Sequence, residues 1–498
     1  MKQTAKNWSE SVIKQDEIDK YLINGKDFID ENEINEKLKT NVNHSKEDIR
    51  KIINRSLNIN RLSFDETAAL LNVKDEAIWE EMYAAAAEVK RRVYDNRIVF
   101  FAPLYCGNLC VNNCKYCGFR NENKDEVRKV LNFDEVKKEA EAVIDEGHKR
   151  MIVVYGEHPK TDANYIAESI KQIYSVEKKA KSGKMNRIRR ININAAPMCV
   201  SDLKKLHEVG IGTYQVFQET YHKATYNDVH ESGPKSDYRW RLYALHRAMD
   251  AGIDDVAIGA LFGLYDWKYE VMGLLYHTAD LEKRYGIGPH TISFPRMTPA
   301  SGSDLSTNSK YLVNDEDFKK LVTVLRLSVP YTGLIITARE KAELRKEIIK
   351  VGCTQTDAST KIGIGEYSGV DKAELENKQQ FTIGDPRPLD DVVRELAEMG
   401  KITSFCTAGY RCGRTGEKIM TLLEKTEEGK FCKLNAVLTF REYLDDYASE
   451  ETRKVGEKLI EKELKEIENM KFYKAHKLTD LMTDYYERVS NGERDLFI

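Results

Sequence analysis

The chain has 498 residues, 41% of them hydrophobic and 32% charged, with 29 Gly and 10 Pro, the mix expected of a soluble globular protein. Its 78 Lys and Arg against 81 Asp and Glu give a net charge of −3, so no global positive field is available to hold a nucleic acid. No apolar run approaches the roughly 18 residues of a membrane span, and residues 1–30 carry no basic segment followed by an apolar one, so a cytoplasmic chain with neither leader nor membrane anchor is expected.

Residues 1–92 read as a charged helical lead-in, with helical spacing running through Ile78, Met82, Ala85 and Val89. Between residues 93 and 400 strands and helices alternate. Strands are predicted at Ile98–Leu104, Met151–Tyr155, Ile191–Ala196, Tyr214–Phe217, Asp255–Ala260, Thr291–Phe294, Leu334–Thr337 and Cys353–Thr356. Amphipathic helices are predicted at Asp134–Glu146, Asn164–Ala180, Ser201–Val209, Tyr238–Ala251, Trp267–Tyr285, Asp315–Leu327, Lys341–Lys350 and Leu389–Met399. Gly147, Gly210, Gly252, Gly352 and Gly400 close several of them, where glycine supplies the left-handed cap. Strict alternation predicts a parallel sheet, and eight units predict an α/β fold closed into a (β/α)8 TIM barrel. The active site of such a barrel lies where strands end and helices begin. Residues 401–498 read as a Cys-containing helical extension. It is loop-rich to about residue 440, then has a charged helix over Glu450–Lys471 and a short amphipathic segment. The basic stretches Lys178–Lys184 and Arg187–Arg190 read as solvated surface.

Nine cysteines is an odd number in a chain expected to be cytoplasmic, which points away from a disulfide framework and towards metal or redox chemistry. Cys106, Cys110, Cys114 and Cys117 crowd just past the first predicted strand, at the expected barrel mouth. Four thiolates suit a closed structural zinc site, and dense thiols in a Gly- and Asn-flanked loop equally suit an iron–sulfur cluster. Spacing separates the two. Cys110, Cys114 and Cys117 form C-x3-C-x2-C with Tyr116 immediately before the last thiol, and Cys106 falls outside the triplet.

That spacing, placed after a first barrel strand, resembles the signature of the radical S-adenosylmethionine enzymes. The stretches Asn108–Tyr116, Gly210–Tyr221, Asp254–Leu264, Gly288–Arg296, Val329–Glu340 and Asn435–Tyr447 narrow the resemblance to the aromatic amino acid lyases of that superfamily. Within them, the tyrosine-cleaving enzyme of [FeFe]-hydrogenase maturation is nearer than 2-iminoacetate synthase of thiamine synthesis. The resemblance implies a [4Fe–4S] cluster on Cys110, Cys114 and Cys117, with an open iron for S-adenosyl-L-methionine. It implies a lyase whose deoxyadenosyl radical takes a hydrogen from L-tyrosine, after which the Cα–Cβ bond breaks to p-cresol and dehydroglycine. Tyr155, Gly156 and Glu157 match the segment that holds the methionine amino group. Gln218 and Glu219 end the fourth strand, where a carboxylate suits a ribose hydroxyl or a sulfonium. Arg296 follows the sixth strand and suits a carboxylate. Thr337 and Arg339 match the segment that receives the substrate carboxylate. A small amino acid substrate, an electron donor of the flavodoxin or ferredoxin type, and maturation or biosynthetic partner proteins are the implied partners.

The resemblance breaks at the second cysteine group. The maturase pattern there is C-x2-C-x22-C, splitting dehydroglycine to CO and cyanide at a second centre. Cys406 and Cys432 take its outer positions, but Gly409 stands at the middle one, and Cys412 follows three residues later. Three readings stay open: a second iron–sulfur or iron site on Cys406, Cys412 and Cys432 with respaced ligands, a different metal or smaller cluster, or thiols that serve only as small hydrophobes. His277 matches a histidine that in the maturase ligates an extra iron. A paralogue that stops at dehydroglycine, or acts on another aromatic amino acid, is the alternative lyase. An iron–sulfur carrier or assembly scaffold is the alternative of another class, though a carrier needs neither a cofactor pocket nor a substrate pocket.

Overall fold

The computed structural model describes residues 2–369 and 379–498. Eight parallel strands close on themselves. They are β1 Ile98–Gly107, β2 Arg150–Tyr155, β3 Arg190–Asn194, β4 Tyr214–Gln215, β5 Val256–Gly259, β6 Thr291–Ser293, β7 Gly333–Ile336 and β8 Gln355–Asp357. The ring closes where β8 meets β1, with Val99 opposite Gln355 and Phe101 opposite Asp357. Each strand falls where the sequence places it, because each is a short buried run between amphipathic helices. Alternation along β1 sorts its side chains. Phe101, Pro103 and Tyr105 line the barrel interior, and Phe100, Ala102, Leu104 and Cys106 take the alternate face.

The helices start and stop on recognisable caps. Asn132 and Glu135 form a capping box ahead of Phe133–Asp145, and Asp266 accepts from two backbone N–H groups at the start of Trp267–Tyr285. Gly147, Gly210, Gly252 and Gly400 do take positive φ. Gly352 is extended instead, with φ 173°, and its carbonyl accepts from the buried Arg326 guanidinium. The predicted helix Asn164–Ala180 stops at Tyr174, and the basic stretch after it forms a two-stranded ribbon, Lys178–Lys179 against Met185–Asn186.

After β8 and the helix Leu389–Glu398, strand β9 Thr403–Ser404 lies along the first two residues of β1, below the point where β2 begins to pair. The stretch to residue 440 is not loop-rich. It folds into the helices Ala408–Arg411, Gly416–Glu424 and Glu428–Asp446, the last of which carries Cys432. Apolar residues surround that helix, and Leu434, Ala436, Val437, Leu438, Phe440 and Leu444 are all buried. Its polar residues Lys433, Asn435, Thr439, Glu442 and Asp446 are buried as well, so no solvent-facing polar stripe prints a helical period on the sequence. Glu442 locks it to the barrel base through the buried Lys149 and Arg189. These two cations outweigh the effect of burial and hold its carboxyl at about 2.

Candidate active site

β1 ends at Gly107, and the loop that follows carries the thiols over the mouth of the barrel. Backbone bonds pin this loop on both sides: Gly156 N–H donates to Gly107 O at 2.9 Å, Val111 N–H to Glu157 O at 2.8 Å and Asn113 N–H to Ser232 O at 3.1 Å. Arg128 ties its far end by donating to the carbonyls of Asn108, Phe119, Arg120 and Asn123. Gly156 is required for the close approach, since a Cβ there would lie 2.3 Å from Leu109 O. Cys110, Cys114 and Cys117 thereby line one cavity of about 210 Å3, together with Tyr116, Gly156, Glu157 and Glu219.

The donor set fits a cluster better than an ion. Among the described residues no three His, Cys, Asp or Glu side chains converge on a single metal ion, and Cys106 lies on the other face of β1, so a four-thiolate zinc site is not formed. Asn112 Nδ2 and Gln380 Nε2 each lie 3.6 Å from a cavity sulfur, Cys110 and Cys117 respectively. Such N–H contacts to sulfur are a feature of iron–sulfur sites. Burial raises all three thiols above their ordinary range, so thiolates here require a cationic partner of the kind cluster iron provides.

Around the thiols the charges are arranged in pairs. Glu219, at φ 71°, binds Lys235 at 2.7 Å and Arg241 at 3.1 Å. Burial pushes its carboxyl up, and the two cations more than offset this, so it stays below its ordinary value. Glu157 accepts from Asn112 Nδ2 at 2.6 Å, and burial leaves its carboxyl raised. Tyr155 and Gly156 border the cavity, but the Tyr155 phenol bonds Ser169 Oγ at 2.8 Å on the helix side. Gln218 is buried outside the cavity, with Nε2 3.4 Å from Tyr238 O. Arg296 is also outside it. Its guanidinium is held by Glu340, by Asp315 at 2.9 Å and by the Val313 carbonyl at 2.8 Å. Asn112, Lys235 and Arg241 escaped the sequence reading. Lys235 and Arg241 sit on a 3-10 turn and a five-residue helix, where no local motif announces them.

Across the cavity, Thr337 and Arg339 follow β7. The Arg339 guanidinium lies 3.2 Å from the centroid of the Phe381 ring, and Nη1 is 3.4 Å from Thr298 Oγ1. Its neighbour Glu340 is occupied by Arg296. Among the described residues Arg339 has no ion pair, and burial lowers it below the ordinary arginine value. A half-buried guanidinium that lines the cavity and has no carboxylate partner of its own is suited to take one from a ligand.

The second cysteine group lies at the opposite end of the barrel. A cavity of about 60 Å3 is lined by Cys406, Gly409 and Cys432 with Arg150, His290 and Tyr410. Arg150 opens β2 and His290 immediately precedes β6, which places this cavity at the N-terminal ends of the strands. Cys412 does not line it. It caps the far end of the short helix that carries Gly409. His277 is not brought to these thiols. It is buried beside Tyr221, whose phenol is 2.9 Å from Nδ1, and stacks on His246 at 5.7 Å. The histidine in the lower cavity is His290, its Nδ1 2.9 Å from Asp255. The clue was its position directly ahead of a strand.

Buried histidines also set an acid limit on stability. Burial lowers His277 to about 3 and His148 to about 4, from an ordinary value of 6.5. Both are neutral when folded and take up a proton on unfolding. Their contribution is complete above pH 6.5 and is lost as pH falls from there towards their folded values. The melting temperature is expected to drop across that window, and less steeply in His277→Asn. Equal slopes by scanning calorimetry would refute the assignment.

A closed parallel barrel whose first loop brings a C-x3-C-x2-C triplet to the mouth, facing a Gly-Glu turn and a Glu–Lys–Arg group, is the core of a radical S-adenosylmethionine enzyme. Residues 104–273 match the Radical SAM superfamily, and residues 293–402 match the Biotin and Thiamin Synthesis associated domain. The chain is 30% identical over 350 residues to 2-iminoacetate synthase of Salmonella typhimurium, covering 70% of this chain and 88% of that protein. It is similar to the crystal structure of HydG, a maturase of the [FeFe]-hydrogenase, with 44% identity, 95% of this chain and 100% of that chain covered, and a TM-score of 0.89. HydG from Carboxydothermus hydrogenoformans gives 36% identity, 95% and 99% coverage and a TM-score of 0.77. The chain belongs to the radical S-adenosylmethionine aromatic amino acid lyase family that includes these proteins, and it is a radical enzyme using a [4Fe–4S] cluster and S-adenosyl-L-methionine. No helix among the described residues is long and apolar enough to cross a membrane.

Proposed function

We propose that the chain cleaves the Cα–Cβ bond of L-tyrosine to p-cresol and dehydroglycine, and that it releases dehydroglycine rather than converting it to CO and cyanide. The observation that carries the first half is Arg339, a half-buried cation with no ion-pair partner among the described residues, lining the same cavity as the three thiols. Its planar fork receives an α-carboxylate bidentately, and Thr337 supplies a hydroxyl beside it. Phe101, Pro103, Phe217 and Ile335 give the cavity apolar walls for an aromatic ring. The cluster and S-adenosyl-L-methionine, held by Cys110, Cys114 and Cys117 with Glu157 and Glu219 nearby, supply the capacity to remove a hydrogen atom. The protein positions the amino acid against them and keeps water out.

The second half follows from the lower cavity. Iron–sulfur cubanes rest on several cysteine thiolates. Here Cys406 and Cys432 line the cavity, Gly409 offers no thiol, and Cys412, at the end of the short helix, is not among the lining residues. The absence of a third thiol from the residues lining this cavity supports release of dehydroglycine. Electrons come from a flavodoxin- or ferredoxin-type donor in this reading. The experiment is anaerobic reconstitution followed by incubation with S-adenosyl-L-methionine, dithionite and tyrosine, assaying p-cresol, glyoxylate, cyanide and CO together. Cresol and glyoxylate without CO or cyanide are expected. All four products would overturn the second half, and absence of cresol would overturn the first.

A further inference from the structure

We propose that Asp357 receives the α-ammonium group of the amino acid substrate, so that Asp357 and Arg339 together read a zwitterion; this rests on the lyase reading above and extends it. Asp357 ends β8, is 3% exposed, and lines the same cavity as Arg339. Its two oxygens are each held once. Oδ1 accepts the Ala338 N–H at 2.7 Å, and Oδ2 accepts the Thr360 hydroxyl at 2.8 Å. A carboxylate offers about four acceptor positions, so half of this one's capacity is left for a ligand. Ala338 immediately precedes Arg339, and the same short segment therefore fixes both charges.

Of the remaining carboxylates of the cavity, Glu219 is bound to Lys235 and Arg241, and Glu157, which accepts from Asn112, lies beside the cysteine loop on the side of the thiols. Arg345 comes within 3.8 Å of Asp357 Oδ1, but its hydrogen bonds go to Asp385 at 2.6 Å, to Thr356 Oγ1 at 2.6 Å and to the Asp357 carbonyl. Burial outweighs Arg345 and raises the Asp357 carboxyl above its ordinary value. One cavity thus holds a cation without an ion-pair partner and an anion whose one cationic neighbour, Arg345, stands 3.8 Å away with its hydrogen bonds spent elsewhere. An α-amino acid supplies the complement of each.

The test is equilibrium binding to the reconstituted holoenzyme with S-adenosyl-L-methionine and no reductant, so that nothing turns over. Three probes are compared: tyrosine, 3-(4-hydroxyphenyl)propionate, which lacks the ammonium, and tyramine, which lacks the carboxylate. The wild type is expected to prefer tyrosine over the propionate by roughly 10- to 100-fold, the worth of one charge-assisted hydrogen bond. In Asp357→Asn that preference collapses towards one, while the preference for tyrosine over tyramine persists. Asp357→Ser makes the same comparison if the Asn variant does not fold, and Asp357→Glu is expected to restore part of the discrimination. Full preference for tyrosine over the propionate in both the Asn and Ser variants would overturn the assignment and leave the lyase reading standing. A wild type that binds no tyrosine would overturn both.

Discussion

Arg339→Ala is expected to abolish tyrosine cleavage while leaving iron content and the slow, substrate-free release of deoxyadenosine unchanged. The guanidinium lies over the Phe381 ring and has no carboxylate partner among the described residues. Its removal deletes the proposed partner of the substrate carboxylate without breaking a structural ion pair. Glu340 keeps Arg296, so the segment after β7 stays anchored. Losing one member of a buried charge pair costs about 3–5 kcal/mol, and cresol formation should fall by at least roughly 100-fold. Arg339→Lys keeps the charge but not the planar fork, and should recover only a small part of the rate. Normal cresol output from the Ala variant would remove Arg339 from the substrate site, and lost iron would show that its role is structural.

The barrel and the first cysteine loop were legible for local reasons. Each strand is a short apolar run, most helices carry one apolar stripe, and three thiols within eight residues need no long-range information. What escaped depends on tertiary contacts. The helix Glu428–Asp446 buries polar residues such as Lys433, Asn435 and Glu442 along with its apolar ones, and left no period. β9 is two residues long and exists only by lying against β1. Arg296 and Arg339 both follow strands at the mouth and look equivalent in sequence, yet Glu340 occupies the first and leaves the second open. His277 and His290 present the same difficulty. Only the packing shows that His277 stacks on His246 and that His290 lines the lower cavity. Lys235 and Arg241 reach the cofactor side from a connection after β4, where sequence alone shows ordinary surface cations.

If dehydroglycine is released as proposed, Gly409→Cys is expected to complete a three-thiol iron–sulfur site in the lower cavity. Gly409 lines that cavity with Cys406 and Cys432, and it is not among the glycines with positive φ, so its backbone accepts a Cβ. It lies in the helix Ala408–Arg411, and replacing glycine in a helical turn is not costly to backbone stability. Cys412 cannot stand in for it at the same place. Three residues along a helix move a side chain about 4.5 Å along the axis and most of a turn around it, and Cys412 sits past the end of that turn. The wild type should therefore bind about four iron atoms per chain, all on the mouth thiols, and Gly409→Cys roughly eight. Cys412→Ser should change neither count. Iron and acid-labile sulfide assays after anaerobic reconstitution measure both. If the wild type already carries about eight irons, and Cys412→Ser drops it to about four, then the loop rearranges on loading. Cys412 is then a ligand, and the release of dehydroglycine as the final product is no longer supported.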